Sequence, residues 1–385
     1  MKYVIKEVRK RHHVTFGMEG FFYGYKEAGN RDVITKGGVT MKTNKVAKVF
    51  VVFLLALAVM FGFGFRDKAE CKTYNLKFQM SWHSQHPQYK AYQEFIKMIK
   101  KETGGELTFT VFPADQLVSR SEALDALKKG TIDMLASCAS YFHGMVPEGD
   151  IDWMPYISLG HRDKFYDYFN ADNEFNSIIQ KAYSEKANAF LLTNILCGSS
   201  GIIGGGTKEY PTVDSLKNIK LRAAGGVNTR IAKAWGASPV TMATGEIYPA
   251  LQMGTVDALI FYAYGLKDYK FFEVAKTFTG PPVYLWADDL WVNKDSLAKL
   301  PKGIQDKLKK VSKEWGRWAS VEYWPRYEKE IEVWCKEKGV KFLEFDAANI
   351  VKSKKMLEPV WEWYASESPA CKRMVELLRA EEKKW

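Results

Sequence analysis

One arginine stands out among the side chains that could do chemistry. Arg222 lies at the end of a predicted strand, just before Gly225 and Gly226. A guanidinium presents a planar fork of donors that matches a carboxylate, and it stays charged at any relevant pH. The two glycines allow a ligand to approach the backbone closely. The sequence therefore predicts a carboxylate-binding role for Arg222, and an ion pair with Glu246 or Asp257 is the alternative.

Aromatic side chains also follow predicted strands. Phe261 and Tyr262 come after the strand Val256–Ile260, and Trp82 and Tyr141 come after two strands nearer the N-terminus. Aromatic rings cover the apolar body of a ligand, and tyrosine hydroxyls orient it. We therefore expect these four rings to form the walls of a ligand cleft, with ordinary core packing as the alternative for each.

A second arginine, Arg120, lies in a loop of the N-terminal half, where it meets either a second ligand oxygen or solvent. The five cysteines have no CxxC spacing, so buried free thiols are expected for most of them, and a Cys335–Cys371 disulfide is the alternative. Four histidines lack metal-ligand spacing and a nucleophile partner, which predicts isolated polar loop residues: His83, His86, His143 and His161. The sequence predicts no enzyme, no cofactor and no zinc site.

The charge distribution argues against a nucleic-acid partner. The formal net charge is +11, but residues 1–48 hold eleven Lys or Arg and only four acids. The remaining 337 residues are only mildly basic and contain no basic stripe with interleaved aromatics.

The N-terminal region resembles an export signal. A basic stretch after Met41 is followed by the apolar run Val49–Phe65 and then by charged residues and Cys71. We therefore interpret residues 41–71 as a signal peptide of a periplasmic protein and residues 1–40 as a gene-call extension. An uncleaved anchor and lipidation of Cys71 are the alternatives.

The body alternates strands and helices, which indicates an α/β fold with parallel strands and ligands at their C-terminal ends. Long amphipathic helices dominate after Asn293. A chain of 385 residues is longer than one hydrophobic core usually organises, so we expect two lobes. We predict a two-lobed periplasmic binding protein fold, with lobe I at 74–198 plus 288–327, and lobe II with the C-terminal helices at 199–287 plus 328–385. The glycine-rich segment Gly198–Gly206 is the expected crossing between lobes, with Gly204–Gly206 as a flexible turn.

Several segments resemble TRAP-type (tripartite ATP-independent periplasmic) transporter solute-binding proteins. Three segments occur in the family's order: LRAAGG (Leu221–Gly226), WGASPV (Trp235–Val240) and EIYPALQMGTVD (Glu246–Asp257). Two earlier stretches also match the family, Ala123–Met134 and Asp152–Tyr156. The resemblance implies that the protein binds a small organic acid, with Arg222 on its carboxylate. It also implies membrane subunits of a TRAP transporter as partners.

Within the family, the segments Ala139–Phe142 and Gly245–Asp257 most resemble the branch that binds 2-oxo acids. Ile260 and Phe261 stand where that branch has an acidic residue and a tryptophan. Trp286 and Asp288 lie near the place where the branch completes a cation site, so Trp286 is a candidate ligand residue and Asp288 a candidate cation ligand. Many dicarboxylate binders have a further arginine near Ile202, which this chain lacks, so a monocarboxylate with an apolar or aromatic body is favoured.

Two other functions remain open from the sequence. A binding protein for an ABC importer or a sensor would have the same lobes and a different partner. An exported enzyme acting on a carboxylate would require catalytic roles that these residues do not fill.

Overall fold

The computed structural model describes residues 72–157 and 159–385. The gene-call extension, the signal peptide and Cys71 predicted above lie outside the described residues. Across 72–157 and 159–385, no helix combines the length and apolar character needed to cross a bilayer.

Ten strands are found in this part of the chain: β1 Tyr74–Met80, β2 Leu107–Phe112, β3 Met134–Ser137, β4 Ala189–Gly205, β5 Lys220–Ala223, β6 Ser238–Thr241, β7 Ala258–Tyr262, β8 Ala275–Gly280, β9 Leu285–Asn293 and β10 Lys341–Glu344. The α-helices are α1 Pro87–Glu102, α2 Ala123–Lys128, α3 Arg162–Asn170, α4 Glu174–Ala187, α5 Gly226–Ala234, α6 Ile247–Gln252, α7 Tyr264–Asp268, α8 Lys294–Ala298, α9 Lys302–Trp318, α10 Trp324–Glu337, α11 Ala347–Glu367 and α12 Pro369–Glu382. The predicted mixed α/β fold with long C-terminal helices is confirmed.

The strands form one sheet in the order β2-β1-β3-β9-β4-β7-β5-β6, and β8 pairs with both β4 and β10. Strands β1, β2 and β3 are parallel to one another, as are β5, β6 and β7. Strand β9 runs antiparallel between β3 and β4. Strands β9 and β4 therefore separate two groups of parallel strands, and the C-terminal ends of both groups are available to form a ligand site.

Strand β4 connects the two groups of parallel strands. It pairs with β9 from Ala189 to Ser199, and from Ser200 to Gly204 it pairs with β7. The expected turn at Gly204–Gly206 is wrong for Gly204 and Gly205, which continue the strand.

Close packing, and not flexibility, explains why glycine occupies positions 201 and 204 of β4. A Cβ atom on Gly201 would lie 2.5 Å from the ring of Phe278. A Cβ atom on Gly204 would lie 2.2 Å from the carbonyl oxygen of Lys208, a distance that no side chain tolerates.

Helices α3 and α4 are separate, because Asn173 accepts a hydrogen bond from the backbone N–H of Asn176 and starts α4. The alternative Cys335–Cys371 disulfide is not formed: both cysteines are free and buried.

The core of the first strand group is strongly aromatic. Tyr92 and Phe95 of α1 pack against Trp315 of α9 at ring distances of 4.7 and 5.2 Å, and the Trp315 indole N–H donates to the carbonyl of Ala91. This packing positions the start of α1, which borders the site described next.

Candidate functional site

A cavity of about 430 Å³ lies beyond the C-terminal ends of β1, β3, β5 and β7. The structure brings all seven predicted ligand residues to its wall: Trp82, Arg120, Tyr141, Arg222, Phe261, Tyr262 and Trp286. Their roles in binding stay predictions, but their meeting in one cavity follows from the parallel strand order.

The guanidinium of Arg222 is buried without a carboxylate partner in the described part of the chain. One hydrogen bond leaves it, from Nη2 to the carbonyl oxygen of Met242 at 3.0 Å, and its Nε atom has no partner there. Only 4% of Arg222 is exposed, and the guanidinium lies 5.5 Å from the ring centre of Phe261. Burial lowers the pKa of Arg222. A buried charge in this condition is costly unless an anion compensates it.

The alternative pairing of Arg222 with a structural acid is wrong. Asp257 forms an ion pair with Lys208 and accepts the backbone N–H of Lys220. Glu246 accepts the backbone N–H of Ala243 at 2.8 Å. Both acids therefore have structural partners of their own.

Sequence reasoning missed several polar residues of the same cavity, among them Asn228, Tyr264 and Tyr284. Tyr264 stacks on Tyr262 at 5.4 Å with an interplanar angle of 5°. Tyr264 and Tyr284 are both within two residues of a predicted ligand residue, which is the signal that would have found them.

The second guanidinium, Arg120, lies against two aromatic rings at the cavity wall. It is 5.6 Å from the ring centre of Trp82 and 5.1 Å from that of Tyr141, and its Nη2 donates to the carbonyl oxygen of Ser81 at 2.9 Å. Tyr141 is 44% exposed, so this wall is open to solvent on one side.

Asp288 lies behind the cavity wall and not on it. Its carboxylate accepts hydrogen bonds from the Trp82 indole N–H, from Gln88 Nε2 at 2.9 Å and from the Tyr92 hydroxyl at 2.8 Å. Burial raises the pKa of Asp288 to about 7, and these donors act against that rise. Within the described residues no group of three His, Cys, Asp or Glu side chains is able to hold a metal ion.

Trp286 completes the wall between these groups. Its ring lies 4.6 Å from that of Trp82 in an edge-to-face arrangement, and its indole N–H points at the Cys138 sulfur, 2.7 Å away. The two indoles therefore have fixed orientations at the cavity surface.

Two histidines expected to be isolated loop residues have defined structural partners. His86 caps helix α1 and lines the cavity. The Nδ1 atom of His143 lies 2.9 Å from a carboxylate oxygen of the buried Asp150. Hydrogen bonding to Asp150 raises the pKa of His143.

Two further buried acids, Asp152 and Asp289, share the side-chain amide of Asn194 as a hydrogen-bond donor. The Asn194 amide nitrogen donates to Asp152 at 2.8 Å and to Asp289 at 2.7 Å. Burial raises the pKa of Asp289 to about 8 and that of Asp152 well above its ordinary range. Asp152 precedes the cavity residue Trp153, so this network supports the wall indirectly.

Comparison with known proteins places these features in a family. The sequence profile described as bacterial extracellular solute-binding protein, family 7, matches residues 78–367. A solute-binding protein from Albidiferax ferrireducens is 23% identical over 292 residues, which cover 74% of this chain and 84% of that protein.

Two crystal structures show the same fold. A TRAP periplasmic solute-binding protein from Ochrobactrum anthropi aligns with a TM-score of 0.73 and 19% identity, covering 82% of this chain and 96% of that one. A second, from Desulfovibrio salexigens with bound orotic acid, aligns with a TM-score of 0.72 and 20% identity, covering 81% and 99%. At these identities the comparison establishes the fold and leaves the ligand open.

Proposed function

Because this chain belongs to the bacterial extracellular solute-binding proteins of family 7, we propose that it captures a small organic acid in the periplasm and delivers it to the membrane subunits of a TRAP transporter. The expectation of binding rather than catalysis is confirmed by the family and its relatives. The exported enzyme is therefore no longer a candidate.

The observation that carries the proposal is the uncompensated charge of Arg222. Arg222 is 4% exposed as a residue, and its guanidinium, with a single backbone acceptor, offers its remaining donors to a carboxylate. A bound carboxylate supplies both the missing charge and the missing acceptors. The ligand thus replaces the ion-pair partner that the protein does not provide.

The lining favours a monocarboxylate with an aromatic or apolar body. Besides the two guanidiniums, no lysine and no carboxylate is found among the cavity-lining residues that the structure describes. Nine of the lining residues are phenylalanine, tyrosine or tryptophan, including Phe261, Tyr262 and Trp286. Aromatic acids and 2-oxo acids with an apolar tail fit this surface. An amino acid fits it less well, because the described lining residues offer no carboxylate to pair with its ammonium group.

The walls of the cavity come from both groups of strands, which is the arrangement expected if two lobes close on a ligand. Trp82 and Tyr141 follow strands of the first group, whereas Arg222 and Phe261 end strands of the second. We propose that the lobes at 74–198 plus 288–327 and at 199–287 plus 328–385 close on the ligand. Burial of the carboxylate then strengthens its attraction to Arg222.

A thermal-shift screen of aromatic acids, 2-oxo acids, dicarboxylates and sugar acids tests the proposal. A ligand at 100 times its dissociation constant adds about 2.7 kcal/mol to the stability of the folded state. Arg222→Ala should abolish the shift. Arg230→Ala is the matched control, because Arg230 is exposed on α5 and lies over Trp363. Full-affinity binding of an acid by Arg222→Ala would contradict the proposed role.

A further inference from the structure

We propose that His86 determines specificity at this site: its Nε2–H group donates a hydrogen bond to a neutral acceptor of the bound acid, at the end remote from the carboxylate. This inference rests on the proposed function and adds to it a second recognition point that requires a ligand oxygen or nitrogen.

The capping role of His86 fixes its tautomer. Residue 86 is the N-cap of α1, and its Nδ1 atom accepts the backbone N–H of Gln88 at 3.1 Å. A neutral imidazole with an accepting Nδ1 carries its proton on Nε2. Burial, with the nearby Arg120 and His83, lowers the pKa of His86 to about 3, so the ring stays neutral. Nε2 is therefore a donor throughout the physiological pH range.

The surrounding rings fix the orientation of the imidazole. It stacks on Trp82 at 4.8 Å, and it lies edge-to-face with Trp286 at 5.4 Å and with Tyr264 at 5.6 Å. Its Nε2 atom is buried and has no hydrogen-bond partner among the residues that the structure describes. Because the ring cannot turn toward a protein acceptor without losing its cap and its stacking, the donor remains unpaired until a ligand supplies an acceptor.

Aromatic surface separates this donor from the carboxylate-binding group. Arg222 lies 5.5 Å from the ring of Phe261, that ring lies 6.0 Å from Tyr264, and Tyr264 lies 5.6 Å from His86. All four residues line the same cavity. A ligand that places its carboxylate on Arg222 and its apolar body along Phe261 and Tyr264 therefore brings its far end to His86.

The chemical class follows from these two ends. The ligand is a carboxylate with an aromatic or apolar middle and a carbonyl, ether or hydroxyl oxygen at the opposite end. A methyl group at that end leaves the buried N–H unpaired, and such a site rejects analogues that lack the acceptor.

Matched acid pairs measure this preference. In each of three pairs the two acids have the same number of heavy atoms, and the spacer between the carboxylate and the far end differs from pair to pair. The pairs are 4-oxopentanoate and 4-methylpentanoate, 5-oxohexanoate and 5-methylhexanoate, and 4-acetylbenzoate and 4-isopropylbenzoate. Calorimetry with the full chain should give at least one pair in which the keto acid binds about tenfold tighter. The preference should be constant from about pH 5 to about pH 8, because the imidazole does not titrate there.

His86→Asn separates the cap from the ligand contact. Asparagine is among the preferred N-cap residues, so α1 keeps its cap while the Nε2–H donor is lost. The keto preference within each pair should fall to about unity, while the loss of the imidazole ring from the cavity wall changes the affinity of both members of a pair alike. His161→Asn is the control, because His161 also precedes a helix and does not line this cavity.

The outcomes distinguish the two proposals. Retention of the keto preference in His86→Asn, or its loss in Trp153→Phe instead, would overturn the role of His86 and leave Arg222 untouched; Trp153 has the other unpartnered ring N–H on this cavity. Binding of every pair without keto preference in the wild type would also overturn it. If no acid binds the wild type in these titrations or in the wider screen, the proposed function fails, and this inference fails with it.

Discussion

The indole nitrogen of Trp82 lies 3.3 Å from both carboxylate oxygens of Asp288, so a buried acid fixes the first aromatic wall of the cavity from behind. The two residues are 206 positions apart in the chain. The wall therefore depends on the insertion of β9 beside β3.

Trp82→Phe should lower the free energy of unfolding by about 1.5–3 kcal/mol, because it removes a hydrogen bond to a buried acidic group. Urea denaturation measures the change. Trp291→Phe is the matched control: it removes the same ring atoms and an indole N–H that has no partner. Equal losses in the two variants would mean that ring volume, and not the bond to Asp288, decides the effect.

Arg222→Leu should raise the stability of the ligand-free protein by about 1–3 kcal/mol, because it removes a buried charge that has no counterion among residues 72–157 and 159–385. Arg162→Leu should have the opposite sign, with a loss of about 2–3 kcal/mol. The Arg162 guanidinium pairs with Glu328 at 2.9 Å and donates to the Ser199 hydroxyl at 3.1 Å. Chemical denaturation without ligand compares the two variants. A marked loss of stability in Arg222→Leu would reveal a structural role for its guanidinium.

The carboxyl group of Asp289 should make stability fall as pH rises. Its pKa is about 8 in the folded protein against an ordinary value of 3.8, so its stabilising contribution is complete below about pH 4 and is lost as pH rises through about 8. In Asp289→Asn the pH dependence of the unfolding free energy should be shallower by up to about 1.4 kcal/mol per pH unit. Denaturation between these pH values measures it, with Asp306→Asn, an exposed acid on α9, as control. An unchanged slope would show that Asp289 does not hold a proton in the folded state.

Gly204→Ala should destabilise the protein by more than about 1 kcal/mol, because the added Cβ meets the Lys208 carbonyl within the sheet. Gly303→Ala is the opposite case: it lies in α9 with nothing within 4 Å of its Cβ position, so alanine should stabilise by about 0.5–1 kcal/mol. Melting temperatures of the two variants should therefore move in opposite directions. Tolerance of alanine at residue 204 would support the flexible turn that the sequence first indicated.

The meeting of the candidate ligand residues in one cavity was predictable because most of them obey a local rule. Arg222, Phe261 and Tyr262 lie at the ends of parallel strands whose side-chain pattern is visible in the sequence, and parallel strands gather their C-terminal ends on one edge. The same rule placed Trp82 and Tyr141 on the opposite wall.

The support behind the wall was not predictable from such patterns. Strand β9 enters the sheet between β3 and β4, and only this insertion brings Asp288 under Trp82. Gly204 gives the same lesson, since its sequence context indicates a turn while the approach of Lys208 and Thr277 requires a glycine inside a strand. Both features depend on contacts between segments far apart in the chain.

Three of the twelve tryptophans, Trp82, Trp153 and Trp286, line the cavity. Indole emission is sensitive to the polarity around the ring and to quenching by nearby groups. Binding of the proposed acid beside these indoles should therefore change the intrinsic fluorescence of the unmodified protein. A titration read by intrinsic emission follows occupancy of the cavity itself, without a dye or an attached label.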